Sequence, residues 1–64
     1  MNPTEAYEIV ALIAGDAEEN PPTVEEAAAD PRTVEAVRIF WRTYAHSAPG
    51  RMGRAAYAVL RAIA

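Results

Sequence analysis

Apolar side chains recur three and four residues apart along most of the chain, and no segment shows the alternation of a strand. The spacing predicts four helices: from Pro3 to the residue before Gly15, from Thr23 to about Ala29, over residues 31–46, and over about 51–63. We therefore expect an all-α fold, a compact small helical bundle of three longer helices and one short helix. We expect residues 1–64 to form a single domain.

The predicted helices have recognisable starts. Asn2 precedes Pro3, with Glu5 three residues after the cap, which is a capping-box arrangement. Thr23 and Glu26 repeat it. Breaks between helices are expected at Gly15, at residues 20–22, at Asp30-Pro31 and at residues 47–50.

Each longer helix carries an apolar stripe that should be buried. The stripes are Ala6, Ile9, Val10 and Ile13 in the first; Val34, Val37, Phe40, Trp41 and Tyr44 in the third; and Met52, Ala56, Val59, Leu60 and Ile63 in the last. Leu12 and Ile39 fall instead on charged sides of their helices. If the two lie next to each other, they are candidate anchors for a partner.

The size of the chain limits its core. A chain of 64 residues buries only about 60% of its unfolded surface, and no cysteine is present to add a disulfide or thiolate metal site. Self-association is therefore a possible supplement. The longest apolar run, residues 9–14, is far below the roughly 20 residues that span a bilayer, and no secretory signal is visible. We expect a cytoplasmic protein with no membrane partner.

Charge is divided unequally along the chain, whose formal net charge is −3. Residues 1–31 contain every carboxylate except Glu35, and residues 32–64 contain all six arginines. Such a division bears on the choice of binding partner more than on chemistry.

Enzymatic function fits the sequence poorly. His46 is the single histidine, and although Ser47 adjoins it, no acid is placed to orient the imidazole. Residues 16–20 are acidic but lack the glycine and glutamate pattern of a calcium loop. The sequence predicts no enzyme activity, no cofactor and no metal site.

The leading hypothesis is a non-enzymatic protein that binds a basic surface of a partner protein and blocks or bridges it. Charge complementarity would speed the encounter. The residues expected to make the contact are Glu5, Glu8, Asp16, Glu18, Glu19, Glu25 and Glu26. In size and charge alone the chain resembles small acidic inhibitors made by phages and mobile elements against host nucleases and CRISPR complexes. That resemblance implies a target surface that normally holds nucleic acid.

Two alternatives remain. Residues 23–44 could form a helix-turn-helix that binds DNA through Arg32, Arg38 and Arg42, although its turn lacks glycine and the chain is acidic overall. The chain could also form a homodimer in which the acidic half of one copy meets the arginines of the other. Trp41 or Ile39 would then lie near the interface.

Overall fold

Four helices form the regular structure of the described residues, 1–16 and 20–64, in a computed structural model of the chain. They are α1 (Pro3–Ile13), α2 (Val24–Ala29), α3 (Pro31–Tyr44) and α4 (Gly50–Ile63). Their lengths of 11, 6, 14 and 14 residues confirm the predicted all-α bundle of three longer helices and one short one. Within the described ranges, no helix is both long enough and apolar enough to cross a membrane.

Helices α1 and α2 begin at the predicted capping residues. Thr23 and Glu26 form the complete reciprocal pair: the Glu26 N–H donates to Thr23 Oγ1 at 3.1 Å, and the Thr23 N–H donates to Glu26 Oε1 at 2.9 Å. At α1 the Glu5 N–H donates to Asn2 Oδ1 at 2.8 Å. The Glu5 carboxylate, however, lies near Arg32 rather than completing the box. Side-chain capping therefore fixes the starts of α1 and α2.

Helix α1 ends where Gly15 adopts a left-handed backbone conformation, with φ at +87°. The Gly15 N–H donates to the Leu12 carbonyl at 3.1 Å, and the Asp16 N–H donates to the Ala11 carbonyl at 3.0 Å. This pair of bonds is a Schellman motif, which satisfies two of the carbonyls left open at a helix end. It confirms the predicted stop at Gly15 and turns the chain toward α2.

The core lies where α3 meets the other helices. Helix α1 packs mainly against α3, while α2 packs mainly against α4 and has almost no direct contact with α1. The ring of Phe40 is completely buried, with ring centroids 5.9 Å from Tyr7 of α1 and 5.7 Å from Tyr44. The buried cluster consists of Val10, Ala27, Val37, Phe40, Met52, Ala56 and Val59. All four helices therefore contribute to one apolar core.

The buried side of α3 is rotated relative to the predicted stripe. Trp41, predicted to be in the core, is 38% exposed, whereas Ala36, which the stripe omits, is completely buried. Ile39 is half-buried rather than exposed. Ala6 and Ala36, on the two helices with the most extensive contact, are both fully buried. Such small side chains let two helices approach closely, which favours burying the Ala36 side of α3 and leaves Trp41 at the edge.

Two glycines should respond in opposite directions when replaced by alanine. Gly15→Ala should destabilise the protein by about 1–2 kcal/mol, because a Cβ is unfavourable in the left-handed region. The new Cβ would lie 3.8 Å from the Pro21 ring, so backbone strain and not crowding sets the loss. Gly53→Ala should stabilise it by about 0.5–1 kcal/mol, because Gly53 is helical and its Cβ would meet nothing within 4 Å. Urea unfolding followed by circular dichroism measures both, and two changes of the same sign would contradict this.

Neighbouring aromatic residues of α3 provide a test of the rotated core. Phe40→Ala should cost about 3–5 kcal/mol or prevent folding, because it empties a completely buried site. Trp41→Ala should cost far less, because its side chain is 38% exposed. Thermal and urea unfolding of the two variants, measured under the same conditions, give the comparison. Equal losses would show that Trp41 belongs to the core.

Candidate functional site

Two of the seven carboxylates predicted to bind a partner are already paired with arginines of the same chain. Arg32 Nη2 lies 3.6 Å from Glu5 Oε2, and Arg51 Nε donates to Asp16 Oδ1 at 2.6 Å. The Asp16–Arg51 contact joins the end of α1 to the first turn of α4, across 35 residues of sequence. The acidic half of the chain is thus partly neutralised by its basic half.

The Asp16–Arg51 hydrogen bond also shifts both ionisation equilibria. The hydrogen bond from Arg51 lowers the pKa of the Asp16 carboxyl below its usual value, and the charge of Arg51 adds to the effect, with partial desolvation opposing it. The same hydrogen bond and the Asp16 charge raise the pKa of Arg51. Both groups are therefore charged at neutral pH.

Three other predicted residues remain exposed. Glu8 lies on α1, and Glu25 and Glu26 lie in the first turn of α2. Among the described residues none of the three forms an ion pair, although Glu26 accepts the capping hydrogen bond from Thr23. The predicted contacts at Glu18 and Glu19 lie outside the described residues.

These exposed carboxylates lie on two helices that pack against different neighbours within the one domain. Glu8 belongs to a helix that packs on α3, and Glu25 and Glu26 belong to a helix that packs mainly on α4. Because α1 and α2 have almost no direct contact, the acidic residues flank the bundle on two separate helices. Sequence position alone suggested a more continuous acidic surface.

The three arginines of the helix-turn-helix alternative are divided between two environments. Arg32 lies at the start of α3 beside Glu5, whereas Arg38 and Arg42 are exposed one turn apart farther along the helix. Only Asp30 separates α2 from α3, and its carboxylate accepts a hydrogen bond from the Arg32 N–H at 3.0 Å. DNA binding through these three residues stays a prediction.

A surface that the sequence did not predict lies across α3 and α4. Trp41 and Tyr57 are 38% and 50% exposed, and their ring centroids lie 5.7 Å apart with planes inclined by 33°. The Arg61 guanidinium carbon lies 6.0 Å from the Tyr57 ring centroid. Arg38 precedes Trp41 by three residues and Arg54 precedes Tyr57 by three, so each arginine shares a helix face with its ring. We call this surface, Arg38, Trp41, Arg54, Tyr57 and Arg61, the arginine–aromatic face.

Part of this surface could have been recognised from spacing. Arg54 and Arg61 are separated by seven residues, and Tyr57 lies between them at three and four, so all three share the exposed side of α4. The exposure of Trp41 could not be recognised, because Trp41 lies within the apolar stripe of α3. Its position depends on which side of α3 receives α1.

The described residues offer charge and aromatic surface to a ligand. Within residues 1–16 and 20–64 there is no pocket, and no group of three or more His, Cys, Asp or Glu side chains converges. His46 is exposed just after α3. Two kinds of surface are available: the carboxylates on α1 and α2, and the arginine–aromatic face on α3 and α4.

The Asp16–Arg51 pair should make stability depend on pH. Because the pKa of Asp16 is lower in the folded protein, the pair stabilises the fold above the ordinary Asp pKa of about 3.9. That contribution is lost as the pH falls through the lowered value. Asp16→Asn should thus be less stable than the wild type at about pH 7, and the difference should disappear in strong acid.

Urea unfolding at a series of pH values measures the difference between the wild type and Asp16→Asn. Glu25→Gln is the matched control, because it also removes one carboxylate but breaks no ion pair of the described residues. A difference for Asp16→Asn that persists unchanged in acid would exclude the pair as its cause.

Comparison with protein-family models, with curated proteins and with solved structures gives no match for this chain.

Proposed function

We propose that the protein is a non-enzymatic binding protein whose exposed carboxylates on α1 and α2 contact a basic surface of a partner protein, which it thereby blocks or bridges. The observation that supports this most is the exposure of Glu8 and Glu25 without an ion pair among the described residues. A partner that supplies arginine or lysine there would gain charge-assisted hydrogen bonds without first breaking an internal pair.

The internal ion pair of Glu5 does not remove it from this proposal. The Glu5 and Arg32 side chains are 49% and 69% exposed and their closest charged atoms are 3.6 Å apart. Exposed pairs of this kind contribute only about 0–1 kcal/mol, so a partner's cation could compete for the carboxylate. The charges of Glu8 and Glu25 would raise the rate of encounter with the partner. Glu5 would contribute to binding after the encounter, when a cation of the partner replaces Arg32.

The apolar core and the anchored end of α1 favour a blocking role. All nine fully buried residues among those described are apolar, and α1 is fixed at its end by the Gly15 motif and the Asp16–Arg51 pair. A preformed binding surface loses little conformational entropy on association. Where the partner's basic surface normally holds nucleic acid, bound protein would exclude it by occupying the same cationic side chains.

The first experiment measures capture of a partner from a lysate of the source cells, followed by the affinity of the purified pair. The double variant Glu8→Gln/Glu25→Gln should weaken binding about tenfold at low salt, chiefly through a slower association rate. The effect should shrink as salt rises, because exposed charges are screened.

The matched control is Thr43→Arg/Ala62→Arg, which changes the net charge by the same amount at two exposed positions on α3 and α4. It should bind like the wild type. If both double variants weaken binding equally, net charge and not these carboxylates determines affinity.

Duplex DNA added to the purified complex tests the inhibitor form of the proposal, in which the partner's basic surface normally holds nucleic acid. Failure of DNA to compete at any concentration would reject that form.

A further inference from the structure

The exposure of Trp41 and Tyr57 distinguishes them from the other aromatic residues. Phe40 is completely buried, and Tyr7 and Tyr44 are half-buried with ring centroids 5.1 Å apart. Those three pack against one another where α1 meets α3. Trp41 and Tyr57 are in contact with each other at the α3–α4 edge, outside the buried cluster. The core therefore does not account for their large apolar surface.

The two exposed rings pack against each other without any partner. They come from different helices, and their centroids lie 5.7 Å apart. The guanidinium carbon of Arg61 lies 6.0 Å from the centroid of the Tyr57 ring. Ordering these side chains would thus cost a binding partner little entropy.

The six arginines differ in whether they form an ion pair with a carboxylate of the described residues. Arg32 and Arg51 form ion pairs with Glu5 and Asp16. Among the described residues, the other four form no ion pair within 4.0 Å; they are Arg38, Arg42, Arg54 and Arg61. Three of these four belong to the arginine–aromatic face, whose members therefore carry only positive charge although the whole chain has a formal net charge of −3.

We propose that the arginine–aromatic face is a second docking surface, and that it binds an acidic segment of a protein carrying at least one apolar side chain. Trp41 and Tyr57 would receive the apolar side chain, and the guanidinium groups of Arg38 and Arg61 would pair with carboxylates on either side. Trp, Tyr and Arg are the residue types that dominate binding energy at protein interfaces. The proposal shares no residue with the acidic surface of α1 and α2, so each can fail without the other.

Charge distribution favours an acidic protein segment over nucleic acid. The molecule measures only 26 × 24 × 20 Å, and a duplex carries a phosphate charge about every 1.7 Å of its length. A nucleic acid long enough to cross the face would also bring phosphates toward the exposed carboxylates of the same small domain. A short acidic segment can remain within the face.

A second copy of the chain is a less suitable occupant. Contact between the carboxylates of one copy and the arginine–aromatic face of another would join two different surfaces. Head-to-tail contacts of this type form rings or open chains rather than a simple two-fold dimer. Two arginine–aromatic faces placed against each other would repel.

The test is selection of binders from a display library of random peptides, using the full chain as bait. The selected peptides should be rich in Asp and Glu and should contain an aromatic or aliphatic residue. Trp41 is the single tryptophan, so its fluorescence emission should move to shorter wavelength when a selected peptide covers it. Arg38→Gln/Arg61→Gln should weaken that peptide about tenfold, an effect that falls as salt rises.

Matched variants make the result specific. Thr43→Glu/Ala62→Glu alters net charge as much as Arg38→Gln/Arg61→Gln does, at exposed positions outside the face, and should leave binding unchanged. Glu8→Gln/Glu25→Gln should also leave it unchanged, which separates this surface from the proposed function. Selection of no peptide, selection of basic peptides, or equal loss in both charge-matched variants would overturn the proposal.

Two further measurements exclude the other occupants. Single-stranded oligothymidylate of about 20 nucleotides should shift the Trp41 emission less than the selected peptide does at equal concentration; a larger shift would assign the face to nucleic acid. The molecular mass measured by sedimentation should not increase with protein concentration. An increase that Arg38→Gln/Arg61→Gln abolishes would assign the face to a second copy.

Discussion

Burial of the Phe40 ring is the interaction on which the rest of this fold depends. The chain of 64 residues has no cysteine and so depends on its apolar core, in which Phe40 is the largest side chain that is completely buried among the described residues. Tyr7 of α1 packs against the Phe40 ring, and so does Tyr44, which lies on α3 with Phe40. The side of α3 that carries Phe40 must therefore face inward, and the orientation of every other residue on α3 follows.

That orientation also determines which charges meet. With α1 packed along α3, Glu5 lies within reach of Arg32, and the end of α1 lies within reach of Arg51 on α4. The two halves of the chain, opposite in charge, thus contact each other in the folded domain at a few points. Among the described residues, Glu8, Glu25 and Glu26 are exposed on α1 and α2, and four other arginines are exposed on α3 and α4, so the molecule keeps surfaces of both signs.

A protein with two oppositely charged surfaces can connect two partners as well as block one. The carboxylates of α1 and α2 suit a basic partner, and the arginine–aromatic face suits an acidic one. On α1 and α2 themselves, Leu12 at 36% is the one large apolar side chain in the exposed range, whereas the arginine–aromatic face offers two exposed aromatic rings. Charge would thus speed encounter at the first surface, and apolar contact would lengthen residence at the second.

Local chemistry in the sequence determined the helices, because capping residues, Gly15 and the spacing of apolar side chains act within a few residues of one another. The all-α bundle, the starts of α1 and α2 and most of the core could be predicted for that reason. Tertiary structure decided the rest. The exposure of Trp41 and its contact with Tyr57 depend on how α3 is rotated when α1 packs against it. The pairing of Asp16 with Arg51 depends on how α1 and α4 are placed relative to each other. A broad apolar stripe is compatible with several rotations, and the observed one buries both Phe40 and Ala36 and leaves Trp41 exposed.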